Sequence, residues 1–347
     1  EFGKLPLEAV MEPAIRFARD GFPVNSIVAG QLASAASDAS EFEGTRRLYL
    51  NSDGSPFGEG EVRANPELAA TLTTIARTEG EDFYRGEIAR RMAEDIQANG
   101  GAVTLQSLQD YRAEDALVVR GSYRGYDLAG SYIPSAGALA IEALHILEHF
   151  DLRSMDPAER AAHVGMALSL AFQDWQLQGP PEMAERLTSK EWAAQRAQEM
   201  SELVSGAGVG SFAGRSAGAF ATVPGVLDPL AHPTGSHTTH LSTADGNGMM
   251  VALTQTLGPN MGSKVVTPGL GFLYASTLGG YLGYMEPGER ARSNICPFMV
   301  MDDGAPLLVL GGAGVAQIPV AVVNAIVHFV DEGLPFPEAL TAPRVGP

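Results

Sequence analysis

The sequence predicts a mixed α+β fold, and three observations carry that reading. Apolar residues recur at helical spacing through most of the chain before residue 204. Residues 204–236 then change character: Gly, Ala, Ser and Pro dominate, charges nearly vanish and no periodicity survives. Beyond them the chain turns β-rich, with two strand-like runs set around a Gly-rich turn.

Taken in order, residues 5–40 alternate apolar and polar positions at helical spacing, as at Leu7, Val10, Ala14, Phe17 and Ala18, with Gly21 closing the first helix. Residues 51–56 form a loop. Residues 66–75 and 83–98 read as amphipathic helices separated by Glu79-Gly80, and 116–123 and 126–131 as two strands. A turn over Pro134-Ser135-Ala136-Gly137 leads into a long apolar helix over 138–150, and more helix follows over 157–178 and 189–203. The chain finishes with a strand over 307–310, a Gly-rich turn and a helix over 320–331. There is no internal repeat.

A chain of 347 residues is long enough for one large core or two domains. Hydrophobic residues make up 45% and charged residues 18%, the composition of an ordinary globular protein. The net charge is −18, from 41 acidic against 23 basic residues, and no Lys/Arg cluster interrupts it, which argues against nucleic-acid or anionic-membrane partners. The single cysteine, Cys296, excludes an intrachain disulfide, and its apolar neighbours predict a small buried hydrophobe. His145 and His149 stand four residues apart but lack a supporting acid, so they read as core-facing or surface histidines rather than metal ligands; no metal or cofactor is expected. No apolar run reaches the ~18 residues of a membrane helix.

Residues 235–244 hold the densest chemistry. Thr239, Leu241 and Thr243 alternate with His240 and Ser242, the turn Asp245-Gly246-Asn247-Gly248 follows, and the run 249–257 contains Thr254 and Thr256. A paired hairpin brings the hydroxyls at the start of the first strand beside those at the end of the second. A hydroxyl nucleophile is weak until a base activates it, and one solution makes a Thr its own N-terminus. The α-amine, with an ordinary pKa of about 7.7–8.0, then serves as base at neutral pH. On pattern alone, threonines that merely suit a strand are the better explanation of the run.

The segments Ser236-His237-Thr238-Thr239-His240-Leu241-Ser242, Leu253-Thr254-Gln255-Thr256-Leu257 and Gly262-Ser263-Lys264-Val265-Val266 resemble the small-subunit start of the γ-glutamyltransferase family. The large subunit of that family is resembled by Gly3-Lys4-Leu5-Pro6 through Pro13-Ala14-Ile15 and by Asp20-Gly21-Phe22-Pro23-Val24. It is resembled again by residues 83–89, by Leu108-Gln109-Asp110-Tyr111 and by Tyr123-Arg124-Gly125-Tyr126; residues 338–344 match near the end. The resemblance runs from Gly3 to Arg344 in the family's order. It implies the αββα four-layer sandwich of an N-terminal nucleophile hydrolase, here incomplete at the N-terminus, since the family's large subunit begins well upstream of Gly3.

By that resemblance Thr238 is the nucleophile for both self-cleavage after His237 and catalysis, and Thr256 orients it. Gly314 and Val315, within Gly311-Gly312-Ala313-Gly314-Val315, fall where the family has a Gly-Gly pair forming the oxyanion hole. Backbone N–H groups do that work, so Val315 serves if its dihedrals allow. The match breaks at the substrate residues. The family's acidic segment for the glutamyl α-amine aligns with residues 275–281, Ala-Ser-Thr-Leu-Gly-Gly-Tyr, which hold no carboxylate. Ser293-Asn294 partly matches the pair that holds the α-carboxylate, Arg292 offers a substitute cation, and the loop over 280–287 is too short for the family's lid.

The expected organisation is a large-subunit-like region over 1–237, ending in a flexible tail from about 204, and a small-subunit-like region over 238–347. The expected partners are a small amide substrate, water or an amino-acid acceptor, and the protein's own two subunits after cleavage. The acyl group stays open between γ-glutamyl and another acyl group, as in acylase-like relatives. A non-catalytic scaffold is the third reading. The family resemblance suggests a periplasmic or extracellular setting, and a cytoplasmic one stays open.

Overall fold

A computed structural model describes residues 3–207, 236–277, 288 and 290–347. The chain divides into two compact units, Glu1–Glu114 with Leu257–Ser276, and Asp115–Thr256 with Thr277–Pro347. The expected division at residue 237 concerns processing of the chain, so it is a different boundary.

The first unit is helical: α1 (Leu7–Asp20), α2 (Ser26–Ala39), α3 (Glu43–Tyr49), α4 (Pro66–Arg77), α5 (Glu81–Arg85), α6 (Glu87–Ala98) and α7 (Leu105–Asp110). A two-stranded sheet joins β1 (Phe22–Pro23) to β2 (Val62–Arg63). Asn65 starts α4 by accepting from the Leu68 N–H at 3.0 Å, and its amide donates to Gly271 O at 2.7 Å. Thr71 adds a second bond from α4, to Leu270 O at 2.8 Å. The 257–276 segment is thereby fixed against α4, and Leu270 packs with Ile88 and Met92 of α6. The single helix expected over 83–98 is broken at Gly86. Asp82 reaches past the break to accept from Ile88 N at 2.9 Å, and a Cβ at Gly86 would lie 2.2 Å from its carboxylate, so the cap and the break are one feature.

The second unit contains β3 (Val118–Tyr123), β4 (Tyr126–Ser131), α8 (Gly137–Leu147), α9 (Pro157–Asp174), α10 (Pro181–Leu187) and α11 (Lys190–Ala207). It continues with β5 (Ser236–Ala244), β6 (Met250–Pro259), β7 (Phe298–Asp302), β8 (Ala305–Leu310), α12 (Gln317–Val330) and α13 (Phe336–Thr341). Strands β3, β4, β7 and β8 form an antiparallel sheet in that order, while β5 and β6 pair separately. Every residue of α8 is buried, the polar Glu142 and His145 included, and α8 packs with α9, α11 and α12 in one core. Leu128, Phe298, Val300, Leu308 and Leu310 supply the sheet's side of that core.

His145 lies inside this core, where its Nε2 accepts from Ser122 N at 3.2 Å, whereas His149 is exposed. No group of side chains able to hold a metal occurs among the described residues. Cys296 is fully buried, and burial pushes its thiol up to about 12, as befits a small hydrophobe. Among the described residues no helix is long and apolar enough to cross a membrane. The expected tail, apart from its first residues in α11, and the short 280–287 loop lie outside the described residues.

Candidate active site

Two strands and one turn create the site. The β5–β6 hairpin turns at Asp245, whose Oδ1 accepts from Asn247 N at 2.8 Å and Met249 N at 2.9 Å, while Gly248 adopts φ +88°. The pairs His240–Thr254 and Thr238–Thr256 then lie successively farther from the turn, as the alternation predicts. Thr238 Oγ1 donates to Thr256 Oγ1 at 3.1 Å. His237 is the second residue of β5.

Thr238 and Thr256 line one pocket with Thr277, Ser293, Asn294, Val315 and Ile318. Ser293 and Asn294 come from the stretch before β7. Ser293 N donates to Pro134 O at 2.7 Å and Ala136 N to Ile295 O at 2.8 Å, which clamps that stretch to the turn before α8. The Ser293 hydroxyl accepts from Ile295 N at 3.3 Å, leaving its own proton available to donate.

Val315 comes from the turn between β8 and α12, where Gln317 N donates to Gly314 O at 2.9 Å and Ile318 N to Val315 O at 3.2 Å. Gly314 sits at φ +132° and Val315 at φ +54°. The second position therefore keeps a glycine-like backbone although a β-branched residue occupies it, a conformation that costs on the order of 1–3 kcal/mol. The turn is specified tightly enough to override the side chain's own preference.

Five residues anticipated from sequence thus meet in one pocket: Thr238, Thr256, Val315, Ser293 and Asn294. Gly314 is adjacent to it in the chain. Arg292 is outside the lining, and its Nη2 donates to Gln178 O at 2.9 Å. Gly279 and Gly280 lie outside the described residues. Thr277 and Ile318 were not anticipated. Thr277 does fall in the segment aligned with the family's acidic motif, which was the available signal, whereas Ile318 reads as an ordinary residue of an apolar helix. All the described lining residues are uncharged at neutral pH.

His240 lies two residues beyond Thr238, with Nδ1 2.8 Å from Thr254 Oγ1 and Nε2 2.8 Å from Ser242 Oγ. Desolvation lowers its pKa below the usual histidine value.

The family model described as Gamma-glutamyltranspeptidase matches residues 1–347. The chain is 29% identical to the glutathione hydrolase proenzyme of Escherichia coli (strain K12), over 99% of its own length and 61% of the relative's. It is 31% identical to the acylase ACY 1 proenzyme of Pseudomonas sp. (strain V22), with the same two coverages. The crystal structure of cephalosporin acylase from Bacillus halodurans superposes with a TM-score of 0.81 at 27% identity, covering 99% of this chain and 62% of that one. The mixed helix-and-sheet fold is therefore of the expected N-terminal nucleophile hydrolase class. The chain spans about three fifths of the length of these relatives.

Proposed function

Because this chain belongs to the gamma-glutamyltranspeptidase family, we propose that it cleaves amides through a threonyl acyl-enzyme, with Thr238 as nucleophile and Thr256 orienting it. The observation that carries this reading is the 3.1 Å hydrogen bond between the two hydroxyls at the wall of one pocket. The presence of Thr238 weighs against a non-catalytic scaffold.

In self-cleavage, Thr238 Oγ1 adds to the carbonyl carbon of His237. The carbon–nitrogen bond breaks, an ester forms, and the hydroxyl proton passes to the departing nitrogen. Water then hydrolyses the ester, leaving a carboxylate on His237 and restoring the hydroxyl, now beside a free α-amine. In turnover that amine takes the proton from Oγ1 as it attacks the acyl carbon, and returns it to the leaving amine. The N–H groups of Gly314 and Val315 are the proposed donors to the oxyanion. Water or an amino-acid acceptor releases the acyl group, and the two polypeptides, 1–237 and 238–347 in this numbering, stay associated.

The acyl group is γ-glutamyl on family grounds. A second reading, an acylase for a different acyl group, is favoured by the absence of any carboxylate over residues 275–281 and by the uncharged described lining. Ser293 and Asn294 would hold the far end of the acyl group in either case. Intact-mass analysis of the full-length protein, followed by a panel of acyl anilides, tests both levels. A smaller polypeptide beginning Thr-Thr-His-Leu is expected; an active protein still continuous across His237–Thr238 would refute the mechanism.

A further inference from the structure

We propose that His240 is a positioning residue that holds the Gly311–Val315 turn in register with the nucleophile's strand. The inference rests on the reading of Thr238 and the turn given above, and adds a residue that the pocket lining does not contain.

The ring is anchored at both nitrogens to its own hairpin, by Thr254 Oγ1 and by Ser242 Oγ, each at 2.8 Å. Its face is pressed against Gly311. A Cβ built there would lie 2.4 Å from His240 Cε1, 2.4 Å from Nδ1 and 2.9 Å from Cγ, so no side chain fits while the ring is in place. Gly311 is the first residue beyond β8, just past the Leu310–Phe298 pair that ends the sheet ladder. Four residues later comes Val315, held at φ +54°.

The turn is thus tied at one end to the antiparallel sheet and at the other to the first residues of α12. The strand that carries Thr238, β5, also runs against β8. His240 adds a side-chain contact at the turn itself: it is on the same strand, two residues along and therefore on the same face as Thr238, and it abuts the first residue of the turn. A hydroxyl and an oxyanion site on different elements must agree to within about 0.5 Å, and a rigid ring locked by two hydrogen bonds enforces such agreement.

The test is a double-mutant cycle in the full-length protein, read by self-cleavage half-life and by kcat and KM on an acyl anilide. His240→Ala should lower kcat by roughly 10- to 10²-fold with KM within about threefold, because alignment and not acyl contact is lost. Gly311→Ala should lower kcat by a similar factor. The double variant should lose no more than His240→Ala alone, because the new methyl occupies space the ring has vacated. If Gly311→Ala does not fold, the double variant should fold, for the same reason.

Thr254→Val, which removes one anchor and keeps the ring, should give a smaller loss in kcat at unchanged melting temperature. A boronate mimic of the tetrahedral intermediate should weaken in parallel with kcat across the series, which a purely structural role would not produce. Losses that multiply in the double variant, or a normal kcat in His240→Ala, would overturn the proposal while leaving Thr238 as nucleophile. Activity in Thr238→Ala would instead overturn the reading beneath it.

Discussion

Thr238 and Thr256 stand eighteen positions apart in the sequence and 3.1 Å apart between their hydroxyl oxygens. The hairpin register alone produces this contact, because the two residues are equally distant from Asn247 in the turn. Thr256→Val keeps the shape and removes the hydrogen bond. The expected result is a fall in kcat of roughly 10²-fold, with slower self-cleavage, since the same oxygen is activated in both reactions. Parallel measurement of processing rate and turnover checks it; unchanged values in both would reduce Thr256 to a strand residue.

Val315 offers a second test. Its φ of +54° is a conformation that glycine adopts without strain. Val315→Gly relieves strain but adds freedom to the unfolded chain, by about 0.5–1 kcal/mol, so the melting temperature should move little. Because Val315 also lines the pocket, the variant should accept bulkier acyl groups while kcat for small ones persists. A kcat loss of 10²-fold or more would show that the side chain, and not only its backbone, is needed.

Substrate choice follows from charge. An α-ammonium buried among the described lining residues meets hydroxyls and one amide but no carboxylate, and a buried charge left without its partner costs about 3–5 kcal/mol. Glutaryl-p-nitroanilide is therefore expected to match or exceed γ-glutamyl-p-nitroanilide in kcat/KM, and measuring the two side by side decides it. Arg292 acts through the backbone it holds, at Gln178 O, so Arg292→Ala should raise KM for both substrates by similar factors. Ser293→Ala and Asn294→Ala should likewise raise KM for both, since the two substrates present the same far carboxylate.

The core of the second unit sets the pH dependence of stability. Glu142, beside Asp174 and accepting from Trp192 Nε1 at 2.9 Å, is pushed well above the usual carboxylate range, first by burial and then by the Asp174 carboxylate. It stays protonated when folded but ionises when unfolded, so it costs stability as pH rises above its ordinary 4.5. His145 is pushed down from 6.5 to about 4, by burial first and Lys190 second, and so costs stability as pH falls through that window. The two slopes oppose each other where their windows overlap, Glu142 acting from 4.5 upward and His145 from 6.5 downward. Glu142→Gln should remove a slope of up to about 1.4 kcal/mol per pH unit there. Denaturant unfolding at pH 6 and pH 8 should show the variant gaining relative to the parent at pH 8; equal differences at both would exclude a buried protonated Glu142.

Local sequence determined the elements whose signals are local. The largely apolar run of α8, the Asp245–Gly248 turn and the alternation along β5 are each visible within one element, because helix and strand periods repeat over a few residues. Matching motifs in the family's order also identified Thr238, Thr256, Val315, Ser293 and Asn294, which the structure gathers around one pocket. The break at Gly86 escaped because it depends on where the Asp82 carboxylate turns, and helical periodicity does not record that. Tertiary structure alone decided that Arg292 spends a guanidinium nitrogen on Gln178 O, that Ile318 joins the pocket from the first turn of α12, and that Gly311 abuts the ring of His240. Those relationships join residues far apart in the chain, and the pairing and packing that bring such residues together leave no periodic trace in either segment.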